Sequence, residues 1–192
     1  SEPKNIGPVV NTFSDEIGPF LAADGMTLYY ATDGKPGYGN HDIFLTRRLD
    51  DTWQHWTEPQ NLGPSINTKK WDSYYATDAS GEIAVMCSSN GDMEEDIFLL
   101  KVPEEARPKP VVLVYGKVLH AKTKQPIEAG IRYEDLSSHK EVGVARSSPQ
   151  SGDYKIVLPY GKNYGYHADV PGYIAVNENM NLVAIHEYIE IK

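Results

Sequence analysis

Asn5-Ile6-Gly7-Pro8-Val9-Val10-Asn11-Thr12 returns 56 residues later as Asn61-Leu62-Gly63-Pro64-Ser65-Ile66-Asn67-Thr68. Self-similarity at such a period marks a structural unit that packs against its own copies. Working outward, Asp24-Gly25 of the first copy meets Ser80-Gly81 of the second at the same offset. β-favouring runs follow in both, Met26-Thr27-Leu28-Tyr29-Tyr30-Ala31 and Glu82-Ile83-Ala84-Val85-Met86-Cys87. Each copy then passes a turn and reaches Asp42-Ile43-Phe44-Leu45 or Asp96-Ile97-Phe98-Leu99, now 54 residues apart. Short apolar runs between Gly, Asp and Asn turns predict strands over 17–23, 26–32, 42–48 and 58–62, and again over 73–78, 82–88 and 96–102.

Four strands per unit at this period is the pattern of a propeller blade. The residues carry a family resemblance. Asp24-Gly25-Met26-Thr27-Leu28-Tyr29-Tyr30 followed by His41-Asp42-Ile43-Phe44 resembles the WD40-like repeat of TolB-type propellers. The second copy matches more loosely, because Ser80 stands where the first has Asp24. Two blades do not close a ring, which takes four to eight. Further blades in a longer chain are the preferred expectation, and assembly of copies into a ring is the alternative.

Pro103-Glu104-Glu105-Ala106-Arg107-Pro108-Lys109-Pro110 reads as a stiff, charged linker. Beyond it, strands are expected over 111–119, 130–136, 141–147, 153–158, 164–170, 173–177 and 185–191, enough for a small sandwich. The order of Tyr115-Gly116-Lys117-Val118, Gln125-Pro126-Ile127, Ser151-Gly152-Asp153-Tyr154, Leu158-Pro159-Tyr160-Gly161, Tyr164 and Gly172-Tyr173 resembles the carboxypeptidase regulatory-like, transthyretin-like domain. Gly152 is expected at a hairpin, and Tyr154, Tyr164 and Tyr173 in the core. The fold expected is therefore all-β, with two blades over 1–102, a linker over 103–110 and a transthyretin-like β-sandwich over 111–192.

The two modules in this order resemble the central part of OmpA-family envelope proteins of the Bacteroidetes type. That resemblance implies an outer-membrane-associated protein of the periplasm, with envelope proteins or a secretion or motility machine as partners. It reaches peptidoglycan only through a further domain that is not in this chain. Similar sandwiches accompany carboxypeptidases and similar propellers accompany prolyl peptidases. An accessory region of a peptidase is thus one alternative, and a carbohydrate-binding module the other.

Composition narrows the partners. Residues 1–102 hold 16 acidic and 7 basic side chains, whereas 103–192 hold 11 of each. A negative first half lacks the basic stripe that nucleic acid requires. No apolar run approaches the ~20 residues of a membrane-spanning helix. The chain opens Ser1-Glu2-Pro3, without a signal peptide, as expected of a mature or cut chain. Cys87 is the single cysteine and reads as a buried small hydrophobe. The six histidines show no metal-ligand spacing, and no GxSxG elbow is present. No catalytic residue and no cofactor are expected.

Two clusters of oxygen-bearing side chains fall on turns, Asp33, Asn40 and Asp42 in one and Asn90, Asp92 and Asp96 in the other. They are weak Ca²⁺ candidates, since their spacing follows no EF-hand, and Asx-turn chemistry is the plainer reading. Trp53, Trp56 and Trp71 with Tyr74 and Tyr75 form an aromatic stretch that serves either inter-blade packing or recognition of a peptide or sugar. Asp15, Glu16 and Asp72 stand at or just before the innermost strands, which line the channel of a propeller, and are candidates for partner recognition.

Overall fold

The computed structural model describes residues 2–89 and 94–192. Among the described residues the protein is all-β, with a 3₁₀ turn at Glu104–Ala106, and it divides into two compact units, Ser1–Lys109 and Pro110–Lys192.

The first unit contains two sheets that run in chain order. One comprises β1 (Glu16–Leu21), β2 (Thr27–Thr32), β3 (Asp42–Arg47) and β4 (Gln60–Asn61); the other comprises β5 (Asp72–Thr77), β6 (Ile83–Ser89) and β7 (Glu95–Lys101). All neighbours within them are antiparallel. Every residue of β2 is buried, so both faces of its sheet are covered. Successive strand residues point to opposite faces. Leu28, Tyr30 and Phe44 therefore join Val10 and Trp56 on one side. Tyr29, Ala31, Ile43 and Leu45 join Ile66, Tyr75, Ala84 and Met86 on the other. The 56-residue repeat is thus two copies packed face to face.

The turn before β2 shows why the second copy reads more loosely. Asp24 accepts hydrogen bonds from the Met26 and Thr27 amides at 2.9 and 2.8 Å. In the second copy Asp78, two residues upstream of Ser80, accepts from the Glu82 and Ile83 amides at 3.1 and 3.3 Å. The carboxylate has moved along the chain while the turn has kept its acceptor. Cys87 is half-buried rather than buried. Its place on a sheet whose other face covers the core leaves it partly open, and partial burial pushes its thiol pKa up.

Residues 103–109 lie along the first unit. Ala106 is buried and its carbonyl accepts the Tyr29 hydroxyl at 2.6 Å. Arg47 Nη2 donates to the Arg107 carbonyl at 3.1 Å, and the Lys109 amide donates to Asp24 Oδ2 at 2.9 Å. Pro108 rests on Gly81, where an added Cβ would come within 2.6 Å of its ring.

The second unit also has two sheets. One is ordered β10 (Lys140–Arg146), β9 (Gly130–Asp135), β12 (Asn163–Asp169), β13 (Val176–Asn181), and the other β11 (Asp153–Pro159), β8 (Val111–Lys117), β14 (Ile189–Ile191). Only the β14–β8 pair among these is parallel. Val112, Val114 and Leu158 of one sheet meet Ile131, Tyr133, Ala145 and Tyr164 of the other in a shared core. Gly152 sits at φ 74 in the turn before β11, where a Cβ would lie 2.6 Å from the Val118 carbonyl oxygen. Tyr164 is fully buried and donates to the Pro159 carbonyl at 2.7 Å. Tyr173, in contrast, is half-exposed, edge-on to His120. The strand expected over 173–177 begins only at Val176, because the Tyr173 amide closes a turn onto the Val170 carbonyl after Pro171-Gly172.

Asp135 is the buried acid of this unit. It accepts Lys162 Nζ at 2.7 Å and the Ser137 hydroxyl at 2.6 Å, and these bonds hold its carboxyl well below the usual range. Since the folded-state value is the lower one, its stabilisation is complete above the unfolded value, about 4, and fades as pH falls below it. Urea denaturation of wild type and Asp135→Asn should therefore show a constant stability gap above about pH 5 and a narrowing gap below about pH 4. A gap independent of pH would dissociate the ion pair from stability.

Candidate functional site

The acid at the start of each repeat grips the loop that leads into it. Glu16 Oε1 accepts the Thr12 amide at 3.0 Å, the Thr12 hydroxyl at 2.6 Å and the Thr32 hydroxyl at 3.3 Å. Asp72, 0% exposed, accepts the Thr68 amide at 2.6 Å and the Ser88 hydroxyl at 2.6 Å, with the Thr68 hydroxyl at 3.1 Å. Glu16 and Asp72, expected as recognition residues, thus occupy equivalent clamps within the fold. Asp15 stands apart from them. It is exposed, and its amide donates to Asp33 Oδ1 at 3.3 Å.

β1 and β5, the first strands of the two sheets, share one irregularity. The pairing of β1 with β2 slips between Ile17 and Phe20, and that of β5 with β6 between Ser73 and Ala76. Gly18 and Tyr74, equivalent residues 56 positions apart, both adopt left-handed backbone there, at φ 57 and 51. The two bulges face each other: a Cβ on Gly18 would fall 2.9 Å from the Tyr74 amide nitrogen and 3.1 Å from its ring. The bulge turns neighbouring tyrosines in opposite directions. Tyr75 is buried 5.0 Å from the Tyr29 ring, and that burial drives its hydroxyl pKa well upward. Tyr74 is 58% exposed.

The aromatic stretch divides among separate places. Trp56 is buried with Val10, Leu28, Tyr30 and Phe44, whereas Tyr75 lies in the core on the opposite face of the sheet. Trp53 is partly exposed, and Arg48 covers one side of its ring at 4.5 Å. Trp71 stacks on the buried His41 ring, with centroids 3.8 Å apart. Tyr74 and Trp53 are the exposed members and Trp71 is partly so, the three lying in separate surroundings.

The oxygen-rich turn of the first copy closes on itself. Asp42 is buried and accepts the Tyr38 and Gly39 amides and Asn61 Nδ2, while the Asn40 amide donates to the Lys70 carbonyl at 2.8 Å. Among the described residues, no three His, Cys, Asp or Glu side chains gather as metal ligands. Asn90 and Asp92 lie outside the described residues, and Asp96 is the exposed second residue of β7.

A groove in the second unit escaped the sequence reading. It has a volume of about 420 Å³ on the outer face of the β9–β12–β13 sheet, between Arg132, Glu134, His167, Asn177 and Asn179. His167 Nδ1 lies 2.6 Å from Asn177 Oδ1. On the opposite face of the sheet, beside Tyr133, Tyr166 donates to Glu178 Oε2 at 2.6 Å, and that bond raises its hydroxyl pKa to about 12. Polar residues recurring every second position, at 132 and 134 and at 177 and 179, are the available sequence signal. The groove offers hydrogen bonds of both polarities and one guanidinium.

No protein-family model matches this chain, and no curated protein is significantly similar to it. Among the described residues no helix is long and apolar enough to cross a membrane.

Proposed function

We propose that this chain is a non-catalytic binding and scaffolding region of a periplasmic, outer-membrane-associated protein akin to the OmpA family. In this reading residues 1–102 serve as two WD40-like, TolB-type blades and residues 111–192 as a transthyretin-like, carboxypeptidase regulatory-like sandwich. Its partners are envelope proteins, a secretion or motility machine among the candidates. Repetition of the acid clamp and of the first-strand bulge supports the blade assignment.

The observation that carries the binding role is Tyr74. A bulky residue at positive φ costs about 1 kcal/mol relative to glycine, and its repeat-mate Gly18 shows that glycine serves the same bulge. With Tyr74 58% exposed, its contact over Gly18 is a small return to folding. A strained, outward-facing tyrosine on a rigid strand is the form of a recognition residue.

Tyr74→Gly should leave Tm within about 3 °C of wild type while weakening partner capture. The check is photo-crosslinking of the full chain, with benzoylphenylalanine at position 74, to a solubilised envelope fraction of the source organism. A discrete adduct is expected that excess wild type suppresses and excess Tyr74→Gly does not. The same adducts from a probe at exposed position 183, or equal suppression by both competitors, would remove Tyr74 from recognition.

A further inference from the structure

The contact between the two repeats has a plug and a socket. The plug is the 61–67 segment: Asn67 Oδ1 accepts the Ile43 amide at 2.7 Å, Asn67 Nδ2 donates to the Ile43 carbonyl at 3.0 Å, and Asn61 Nδ2 donates to Asp42 Oδ2 at 2.8 Å. Gln60 and Asn61 pair with Leu45 and Phe44 as β4. The socket is the β3 edge with the face formed by Tyr29, Ala31, Ile43 and Leu45, all buried by the second copy.

Each copy carries both halves, so one plug and one socket remain. In the first copy Asn5 Oδ1 accepts the Gly7 amide at 2.8 Å and Asn11 Nδ2 at 2.9 Å. Asn61 Oδ1 likewise accepts the Gly63 amide and Asn67 Nδ2, each at 2.8 Å. The plug at 5–11 is therefore already shaped, and fully exposed Phe13 projects just beyond it. At the other end β7 is the edge of its sheet among the described residues. The socket face recurs there as Val85, Cys87, Ile97 and Leu99, with Ile97 77% and Leu99 73% exposed. An apolar face with a free strand edge is a template for association.

We propose that the 5–13 segment of one copy of this chain docks on the β7 edge and the Val85–Ile97–Leu99 face of a second copy, joining chains head to tail. Asn11 takes the Ile97 backbone as Asn67 takes that of Ile43, Asn5 reaches Asp96, and residues 4 and 5 pair with Leu99 and Phe98. The contact is heterologous, so it extends into a ring or an open chain. It uses neither Tyr74 nor the groove of the second unit, and stands or falls independently of the partner proposed for Tyr74.

Sedimentation velocity of the full chain from about 1 μM to about 1 mM should show growth beyond the monomer as concentration rises. The double variants Asn5→Ala/Asn11→Ala and Ile97→Asp/Leu99→Asp should each weaken self-association by at least ~10-fold. Mixed, they should form a one-to-one dimer and nothing larger, since each retains one intact half. A synthetic peptide of residues 4–13 should dissociate the wild-type assembly, a readout that needs no variant to fold. A wild type that stays monomeric throughout, association indifferent to both double variants, or a mixture that stays monomeric would overturn the proposal.

Discussion

Asp72→Ala is expected to destabilise the first unit by about 3 kcal/mol, lowering its Tm by roughly 10 °C or more. Asp72 is wholly buried, and its loss strands the buried Ser88 hydroxyl and releases the part-buried Thr68 amide that fixes the loop. A buried donor without an acceptor costs about 1–3 kcal/mol, and hydrogen bonds to a carboxylate are the stronger kind. Asp72→Asn should cost about half as much. Its carbonyl still accepts from Thr68, and the Ser88 hydroxyl can turn to accept from the new amide. Glu16 holds the equivalent loop from a half-buried position, so water replaces its bonds readily. Glu16→Ala should therefore cost only about 1 kcal/mol. Urea unfolding of the three variants measures this order, and equal losses at Glu16 and Asp72 would show that burial does not set the strength of the clamp.

Asn67→Ala should cost about 2–3 kcal/mol, while Asn11→Ala, its repeat-mate, should cost well under about 1 kcal/mol. Asn67 is buried and its oxygen is the acceptor for the Ile43 amide. Without it that amide has no replacement partner inside the core, although the Ile43 carbonyl still receives the Leu62 amide at 3.1 Å. The Asn11 side chain makes one exposed bond, to Asn5. Thermal melts at a dilution where the chain is monomeric isolate the intrinsic effect. A costly Asn11→Ala under those conditions would mean that the 5–11 segment is structural in the single chain.

The strands of the first unit were legible because their signal is local: alternating apolar runs, bounded by Asp-Gly and Gly-rich turns, at a fixed offset. Ser80 obscured a turn that Asp78 in fact serves, since a hydrogen-bond acceptor can shift two residues without changing the backbone path. The bulge lay beyond local reading. Nothing in Tyr74-Tyr75 says which ring turns outward; the slip in pairing with β6 decides it. Five aromatics close in sequence left packing and recognition both open, and the alternation of faces and the depth of each cluster sent Trp56 and Tyr75 to different cores. In the second unit the largely polar strand Val176–Asn181 is held by pairing with β12 and by Met180 against the core, too sparse a pattern to mark its start.

The lashing of residues 103–109 sets the path of mechanical load. A pull on the chain at Pro110 arrives first at the Lys109 amide and Asp24, then at Pro108 on Gly81, then at the Arg47–Arg107 and Tyr29–Ala106 bonds. Asp24, Arg47 and Tyr29 belong to the first sheet and the turn that enters it, and Gly81 to the turn between β5 and β6. Tension is delivered there before it reaches β7, the edge strand of its sheet among the described residues. The strap works as a strain relief, sparing that edge strand from whatever tugs on the chain beyond it.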